Sequence, residues 1–224
     1  MPDVRLLDLG RSRYEDALRL QRTLLERRKA GAIPDTLVLT EHEPVITTGQ
    51  NADFRHLLVP EAELALAGVP LVGCERGGDI TYHGPGQLVA YPILDLKSYG
   101  RDLHQYIRRL EQTAIDLCTV YGVAARRRPG APGVYAGDGK IASVGVFVSR
   151  WVTMHGLAIN LAPDPAQLAW LQPCGLRDTP FTSVAGQTGR VPTHADAAAR
   201  YATIFADVFG CRLLVGEAVG EALA

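Results

Sequence analysis

The chain has 224 residues, of which 47% are apolar and 21% are charged, and its formal net charge at pH 7 is −1. This composition is typical of a globular protein with one sizeable core. It lacks the marked basic excess of a dedicated nucleic-acid-binding protein, so it argues against that class of function. No apolar run approaches the roughly 20 residues of a membrane-spanning helix, and the N-terminus shows no apolar signal segment. We therefore expect a single domain over residues 1–224, located in the cytoplasm, with neither nucleic acid nor membrane as a partner.

The first half of the chain predicts two helices and several short strands. Residues 12–15 have the form of a capping box and predict a helix that begins at Ser12 and ends before Gly31. Strands are predicted over residues 35–40 and 45–48, and a short helix over residues 60–67. Apolar runs at 69–74 and 88–94 predict two buried strands on either side of a polar, glycine-rich segment.

The second half predicts a long helix over residues 103–121, because its apolar residues recur on one face and Gly122 follows. Strands over 140–148 and 154–161 are predicted to form a hairpin, with a short helix beginning at Asp164. A helix over 193–209 and a strand over 211–215 complete the prediction. Hairpin connections interrupted by helices predict an α/β fold with a mixed, largely antiparallel sheet and packed helices, and they argue against a doubly wound parallel sheet.

The glycine-rich segment, residues 76–87, reads RGGDITYHGPGQ and contains four glycines and one proline. Glycine allows a ligand to approach the main chain closely, while Pro85 fixes a turn. Such a segment between two buried strands is typical of a binding loop, although an elaborate hairpin connection explains the composition equally well.

The chain contains four cysteines, at positions 74, 118, 174 and 211. They lack the paired spacing of a metal site, and we expect free thiols and no bound metal. Cys118 lies on the apolar face of the long helix, and Cys74 and Cys211 lie in apolar runs, so burial is predicted for all three. Cys174 differs, because the flanking proline and glycine predict an exposed turn.

Lys140 is one of only three lysines among 23 cationic residues. Lysine can release a proton when its surroundings lower its pKa, whereas arginine cannot. Lys140 follows the turn-forming residues 137–139, so a solvated position beside a turn is the alternative to a functional role.

The segment 76–87 resembles the signature of the octanoyl-acyl-carrier-protein:protein N-octanoyltransferases, the lipoate-protein ligase B family. Segments at 41–50, at 140–145 continuing to 155–160, and at 173–175 resemble the same family in its order and spacing. The resemblance covers residues 38–184 and implies the α/β fold that biotin and lipoate protein ligases share.

The resemblance also implies a two-step reaction. Cys174 would take the octanoyl group from octanoyl-acyl carrier protein as a thioester, and a lysine of an acceptor protein would then attack it to form an amide. The implied acceptors are the lipoyl domains of 2-oxoacid dehydrogenase complexes and the glycine cleavage H protein. Because the donor is already activated, the resemblance implies no ATP, no metal and no other cofactor.

The site residues follow from the same resemblance. A free thiol with a pKa near 8.5 is only about 3% ionised at pH 7, and a neighbouring ammonium raises that fraction. Lys140 is the residue that the family pattern places beside Cys174, and it is also a candidate for proton transfer. The implied substrate-binding residues are Arg76, Gly77, Gly78, Asp79, Ile80, Thr81, Tyr82, His83, Ser143, Val144, Gly145, Gly156, Leu157 and Ala158. His83 and His155 are candidate orienting residues.

Three other functions stay open at the level of the sequence. An ATP-dependent lipoate or biotin ligase would share the fold without needing Cys174. A non-catalytic carrier-protein-binding module would need neither Cys174 nor Lys140. A Cys–His hydrolase would pass the acyl group to water instead of to lysine.

Overall fold

The computed structural model describes residues 1–172 and 179–214. Within these residues the strands, in chain order, are β1 (Asp3–Ser12), β2 (Asp35–His42), β3 (Val45–Thr48), β4 (Leu71–Gly73), β5 (Ile80–His83), β6 (Gln87–Ile93), β7 (Ala125–Arg128), β8 (Ala131–Ala136), β9 (Gly139–Ser149), β10 (Val152–Asn160) and β11 (Arg212–Leu214). The helices are α1 (Tyr14–Lys29), α2 (Glu61–Leu66), α3 (Leu103–Val120), α4 (Pro165–Leu168), α5 (Val184–Thr188) and α6 (His194–Phe209), with 3₁₀ turns at Phe54–His56 and Leu96–Tyr99.

Eight of these strands form a large sheet in the order β11-β1-β2-β6-β10-β9-β8-β7. Strand β1 runs parallel to both of its neighbours, and every other neighbouring pair in this sheet is antiparallel. A second sheet, β4-β3-β5, contains one parallel and one antiparallel pair. The prediction of a mixed, largely antiparallel sheet is confirmed.

Helices cover both faces of the large sheet. Leu37 and Leu39 of β2 pack on one face with the apolar sides of α3 and α6, whereas Val38 between them packs on the other face with α1. This alternation follows from the two-residue period of a strand, and it buries every residue of β2 except the half-buried Glu41. None of the helices in the described ranges is long and apolar enough to cross a membrane.

Several predicted elements are confirmed. The helices predicted over 103–121 and 193–209 are α3 and α6, and Thr193 caps α6 by accepting a hydrogen bond from the amide of Asp196. The hairpin prediction is confirmed by β9 and β10, which are joined by only two residues, Arg150 and Trp151. Both have a positive φ, at 51° and 71°, as the favoured two-residue hairpin turns require.

The predicted helix start at Ser12 is wrong. Ser12 is the last residue of β1, where it pairs with His42 and its hydroxyl lies 2.8 Å from the hydroxyl of Thr40. Helix α1 begins two residues later, and Arg13 at its N-cap makes no side-chain capping bond. The pairing of β1 with β2 extends to Ser12 and takes precedence over the local capping box, and no local pattern revealed this strand.

The prediction of one continuous connection over residues 76–87 is also wrong for its middle residues. Residues Ile80–His83 form β5, which pairs with β3, so two short loops remain at 76–79 and 84–86. A partner strand more than 30 positions away in the chain decides this, and local composition cannot show it.

The cysteine predictions have different outcomes. Cys118 and Cys211 are buried as predicted, and burial raises the pKa of the Cys118 thiol to about 12. The prediction for Cys74 is wrong, since this residue is half-buried just beyond the end of β4, with its thiol 3.5 Å from the carbonyl oxygen of Thr48. Cys174 and the last residue of the predicted strand 211–215 lie outside the described residues.

Candidate active site

A cleft that is partly open to solvent lies where the centre of the large sheet meets β5 and the loop before it. Its walls come from α1, β5, β6, β9 and β10 together with the loop at 76–79. The lining residues are Tyr14, Arg76, Gly78, Asp79, Ile80, Thr81, His83, Val89, Tyr91, Lys140, Ser143, Val144, Gly145, His155, Gly156, Leu157, Ala158 and Phe181.

The strand register gives this cleft a direction. Ala158 of β10 lies opposite Ser143 of β9. Two positions earlier in β10, Gly156 lies opposite Gly145, and His155 is the next residue beyond that pair. At about 3.3 Å per residue, these levels are successive positions along the cleft. Ser143 therefore lies nearer to Lys140, and His155 lies at the far end.

The loop at 76–79 carries a buried cation. Arg76 is 7% exposed, and its guanidinium donates to the carbonyl and the hydroxyl of Thr47 at 2.8 and 2.9 Å. Within the described ranges, no carboxylate lies within ion-pair distance of it. The loop is packed tightly, because a Cβ on Gly49 would lie 2.4 Å from the carbonyl oxygen of Gly78. Arg76 thus presents a fixed positive charge at the cleft wall.

Asp79, at the end of this loop, faces a neighbouring turn. One carboxylate oxygen accepts the amide of Asp53 at 2.8 Å, and the other is hydrogen-bonded to the imidazole of His56. The Asp79 side chain thereby ties the cleft wall to the segment that precedes α2.

Lys140 is 2% exposed, so the solvated position that its sequence context allowed is wrong. Its amide donates to the carbonyl of Pro180 at 2.8 Å, and its own carbonyl accepts the amide of Thr182 at 3.0 Å. The side chain is confined by Gly133, where an added Cβ would lie 2.7 Å from Cε and 3.4 Å from Nζ. The ammonium is also 5.9 Å from the centre of the Tyr135 ring. Lys140 is therefore a buried ammonium held in one position at the cleft wall.

His83 is buried among other rings. It stacks on Tyr14 with ring centres 6.0 Å apart, and its Nδ1 lies 3.3 Å from the amide oxygen of Gln87. Burial, with further contributions from His42 and Arg76, lowers its pKa well below the usual value. The imidazole is consequently neutral at pH 7.

His155 has an unusual backbone for a residue in the middle of a strand, with φ at +59°. Its amide donates to the buried side chain of Gln21 at 2.9 Å. Nε2 is buried without a hydrogen-bond partner, 3.7 Å from a carboxylate oxygen of Glu75. Burial lowers the pKa of His155 to about 4, so this imidazole is also neutral at pH 7.

The cleft brings together most of the residues that the sequence singled out, from segments spread over residues 76–158. Gly77 and Tyr82 are not in its lining. Gly77 binds the loop to β9 through its amide, 2.9 Å from the carbonyl of Val146. Tyr82 points to the opposite face of β5, where its hydroxyl donates to Gln167 and its ring meets Trp170 edge-on.

Sequence reasoning missed four lining residues, namely Tyr14, Val89, Tyr91 and Phe181. Val89 and Tyr91 belong to β6, whose residues are all buried, so no alternation in the sequence marked the side that faces the cleft. Tyr14 opens α1 and carries no motif; only the packing of α1 against β6 and β10 brings it to the cleft.

Gln172 and Pro180, on either side of positions 173–178, make hydrogen bonds at or next to the cleft wall. Gln172 donates its amide to the carbonyl of His56 at 2.9 Å, and His56 contacts Asp79. On the other side of the gap, Pro180 accepts the amide of Lys140. In the ranges 1–172 and 179–214, no cluster of three or more His, Cys, Asp or Glu side chains is arranged to hold a metal ion.

These features suit an apolar chain that is bound along the strands. Ile80, Val89, Val144, Leu157 and Ala158 supply apolar walls, and the fixed ammonium lies at one end. A cleft of this kind can hold an acyl chain with its reacting carbon near Lys140.

Comparison with known proteins gives consistent results. The model of the lipoyl protein ligase A/B catalytic domain matches residues 13–206. An octanoyltransferase of Solibacter usitatus is 43% identical over 217 residues, which cover 97% of this chain and 98% of the relative.

Solved structures share the fold at low sequence identity. The crystal structure of a lipoate-protein ligase A bound with ATP has a TM-score of 0.76 at 15% identity, covering 99% of this chain and 92% of the other. The biotin protein ligase of Aquifex aeolicus in complex with biotin and ATP has a TM-score of 0.55 at 13% identity, covering 94% of this chain and 71% of the other. The expected kinship with the fold of biotin and lipoate protein ligases is confirmed.

Proposed function

The chain belongs to the lipoyl protein ligase A/B catalytic-domain family, and we propose that it is an octanoyltransferase that modifies a lysine of lipoyl-accepting proteins. The observation that carries the proposal is the buried, confined ammonium of Lys140 at one end of an apolar cleft. The name that the Solibacter relative bears supports the same activity.

The reaction has two steps. The thiolate of Cys174 attacks the thioester carbonyl of the donor, the donor thiol leaves, and an octanoyl-enzyme thioester forms. The amine of the acceptor lysine then attacks this thioester, releases the Cys174 thiolate and forms an amide. Both steps conserve the acyl group and require no redox partner, and such covalent catalysis predicts ping-pong kinetics.

Lys140 has two roles in this scheme. Its positive charge favours the thiolate form of Cys174, because an adjacent ammonium stabilises the negative sulfur. Its amine also transfers protons, to the departing donor thiol in the first step and from the attacking amine in the second. The residues among 76–83 that line the cleft, together with 143–145 and 156–158, hold the acyl chain, and His83 and His155 orient it.

We assign octanoyl-acyl carrier protein as the donor, and lipoyl domains of 2-oxoacid dehydrogenase complexes and the glycine cleavage H protein as acceptors. The activated donor makes ATP unnecessary, and no step requires a metal. Residues 1–224 form one catalytic domain in this proposal, and the cytoplasm is its location because the reaction needs a free thiol in a reducing compartment.

Intact-mass measurement after incubation with octanoyl-acyl carrier protein tests the nucleophile. We expect one octanoyl adduct on the wild-type protein, removable by hydroxylamine, and none on Cys174→Ser. The matched control is Cys74→Ser, which removes the half-buried thiol of the described ranges. This variant should form the same adduct as the wild type.

Addition of a lipoyl domain without ATP should then discharge the adduct and octanoylate the acceptor lysine. An adduct that persists on Cys174→Ser would contradict the assigned nucleophile. Transfer that occurs only with ATP and free octanoate would instead identify an adenylating ligase.

A further inference from the structure

The far end of the cleft, around His155, has features that an orienting role alone does not explain. His155 lies on β10 opposite Val146, one position beyond the facing pair Gly156 and Gly145. It combines a left-handed backbone with a buried Nε2 that has no hydrogen-bond partner. Both features are unfavourable for folding, and such features accumulate where a side chain has a functional position.

The reacting end can be located relative to β9. An added Cβ on Gly133 would lie 2.5 Å from the carbonyl oxygen of Ala142 and 3.4 Å from Nζ of Lys140. The lysine side chain therefore runs along β9 from its own Cα towards the level of Ala142. The ammonium marks that level as the end where acyl transfer takes place.

The distance from this level to the far end matches a medium-length chain. Ala142 and Val146 are four residues apart, which at 3.3 Å per residue is about 13 Å. An extended octanoyl group spans about 9 Å from its carbonyl carbon to its methyl carbon, from seven bonds of about 1.5 Å in a zigzag. The remaining few ångströms correspond to the His155 imidazole and to Arg76, whose Cδ lies 3.2 Å from the position of a Cβ on Gly145.

Only a thin layer separates this imidazole from solvent. Glu75 lies behind it, with a side chain that is 28% exposed, and Arg22 pairs with Glu75 at 2.7 Å with a side chain that is 51% exposed. Removing the imidazole would therefore connect the end of the cleft to the surface beside this ion pair.

We propose that His155 is the specificity-determining residue that closes the acyl cleft and limits the chain to about eight carbons. This inference rests on the proposed transferase function, because that function defines which end of the cleft reacts. The side chain acts by blocking space, and the hydrogen bond from the backbone amide to Gln21 holds the main chain of this residue in place. A longer chain would have to displace a buried ring, whereas a shorter one would leave part of the apolar wall uncovered.

The test replaces His155 with glycine, which accepts the positive φ of this position without strain. Arg150→Gly is the matched control, because it changes another residue of the same hairpin with positive φ, at 51°, away from the cleft. His155→Asn provides a second, shorter side chain that tolerates this backbone if the glycine variant fails to fold. Each protein is assayed for transfer from C6, C8, C10 and C12 acyl thioesters, and for direct calorimetric binding of the corresponding free fatty acids.

We expect wild type and Arg150→Gly to prefer C8, and His155→Gly to raise the C12-to-C8 ratio of kcat/KM at least tenfold. Each additional buried methylene adds up to about fourfold in affinity, so the upper limit for four methylenes is roughly two hundredfold. His155→Asn should give a smaller shift in the same direction. An unchanged ratio in the His155 variants, with C8 transfer intact in wild type, overturns the proposal.

The binding measurement separates this proposal from the proposed function. If wild type transfers no acyl group but His155→Gly binds dodecanoate more tightly relative to octanoate, the transferase assignment is wrong and the closing role of His155 stands. If transfer occurs and neither readout shifts, the transferase assignment stands and His155 does not set the chain length.

Discussion

Gly133 offers the sharpest test of how the fold holds Lys140. Its φ of +111° is unfavourable for any residue with a Cβ, and an alanine Cβ would lie 2.5 Å from the carbonyl oxygen of Ala142 and 2.7 Å from Cε of Lys140. The first clash involves main chain, so a side-chain rotation cannot relieve it. Gly133→Ala should therefore push β8 away from β9 and displace the lysine side chain.

The expected cost combines backbone strain with overpacking. A non-glycine residue in such a conformation costs about 1–3 kcal/mol, and overpacking a buried site costs a further ~1–3 kcal/mol, so we expect unfolding free energy to fall by about 4 kcal/mol. Gly130→Ala is the matched control, because Gly130 has φ at +74° and nothing within 4 Å of an added Cβ. Strain alone should cost it about 1 kcal/mol.

Urea unfolding measures the stability term, and octanoyl transfer measures the effect on the site. A displacement of about 1 Å at a catalytic group lowers kcat roughly a hundredfold, so folded Gly133→Ala should be about that much slower, while Gly130→Ala stays near wild type. If the two variants are equally stable, or if Gly133→Ala transfers octanoate at the wild-type rate, the close packing of Gly133 on Lys140 does not position the amine.

Three further predictions concern charge and protonation. Lys140→Arg keeps the positive charge but cannot release a proton, so it should lose almost all amide formation. Lys97→Arg, which changes an exposed side chain of a 3₁₀ turn, should keep it. Burial lowers the pKa of His42 to about 4 from 6.5, so between these values the proton binds to the unfolded chain and not to the folded one. The unfolding free energy should therefore be highest above pH 6.5 and fall by about 2 kcal/mol between pH 7 and pH 5. Urea unfolding at the two pH values should show this loss, and His42→Gln should make it smaller. Arg127→Ala should lower the unfolding free energy by about 2 kcal/mol in the same assay, since it removes the ion-pair partner, at 2.9 Å, of the buried carboxylate of Glu111. An unchanged value would show that the pair does not stabilise the fold.

The sequence by itself determined the elements whose signals are local. Helix α3 repeats its apolar residues at helical spacing, and a glycine at its end stops it, so its limits could be predicted within a residue. The hairpin of β9 and β10 was likewise apparent from two apolar strands with a short connection. The family motifs identified Lys140 and the glycine-rich segment as candidates for one site, because those motifs retain residues whose chemistry is specific.

Only the tertiary structure decided which of these residues meet and which way they face. Residues Ile80–His83 became a strand because β3 pairs with them, and packing against Gln167 and Trp170 keeps Tyr82 away from the cleft that His83 lines. In the same way, Ser12 pairs with β2 as the last residue of β1 and does not cap a helix. The positions of Tyr14 and Tyr91 in the cleft wall depend on contacts between segments that are distant in sequence, and so does the burial of Lys140. Such contacts form only when the sheets and helices pack together, so a local pattern carries no record of them.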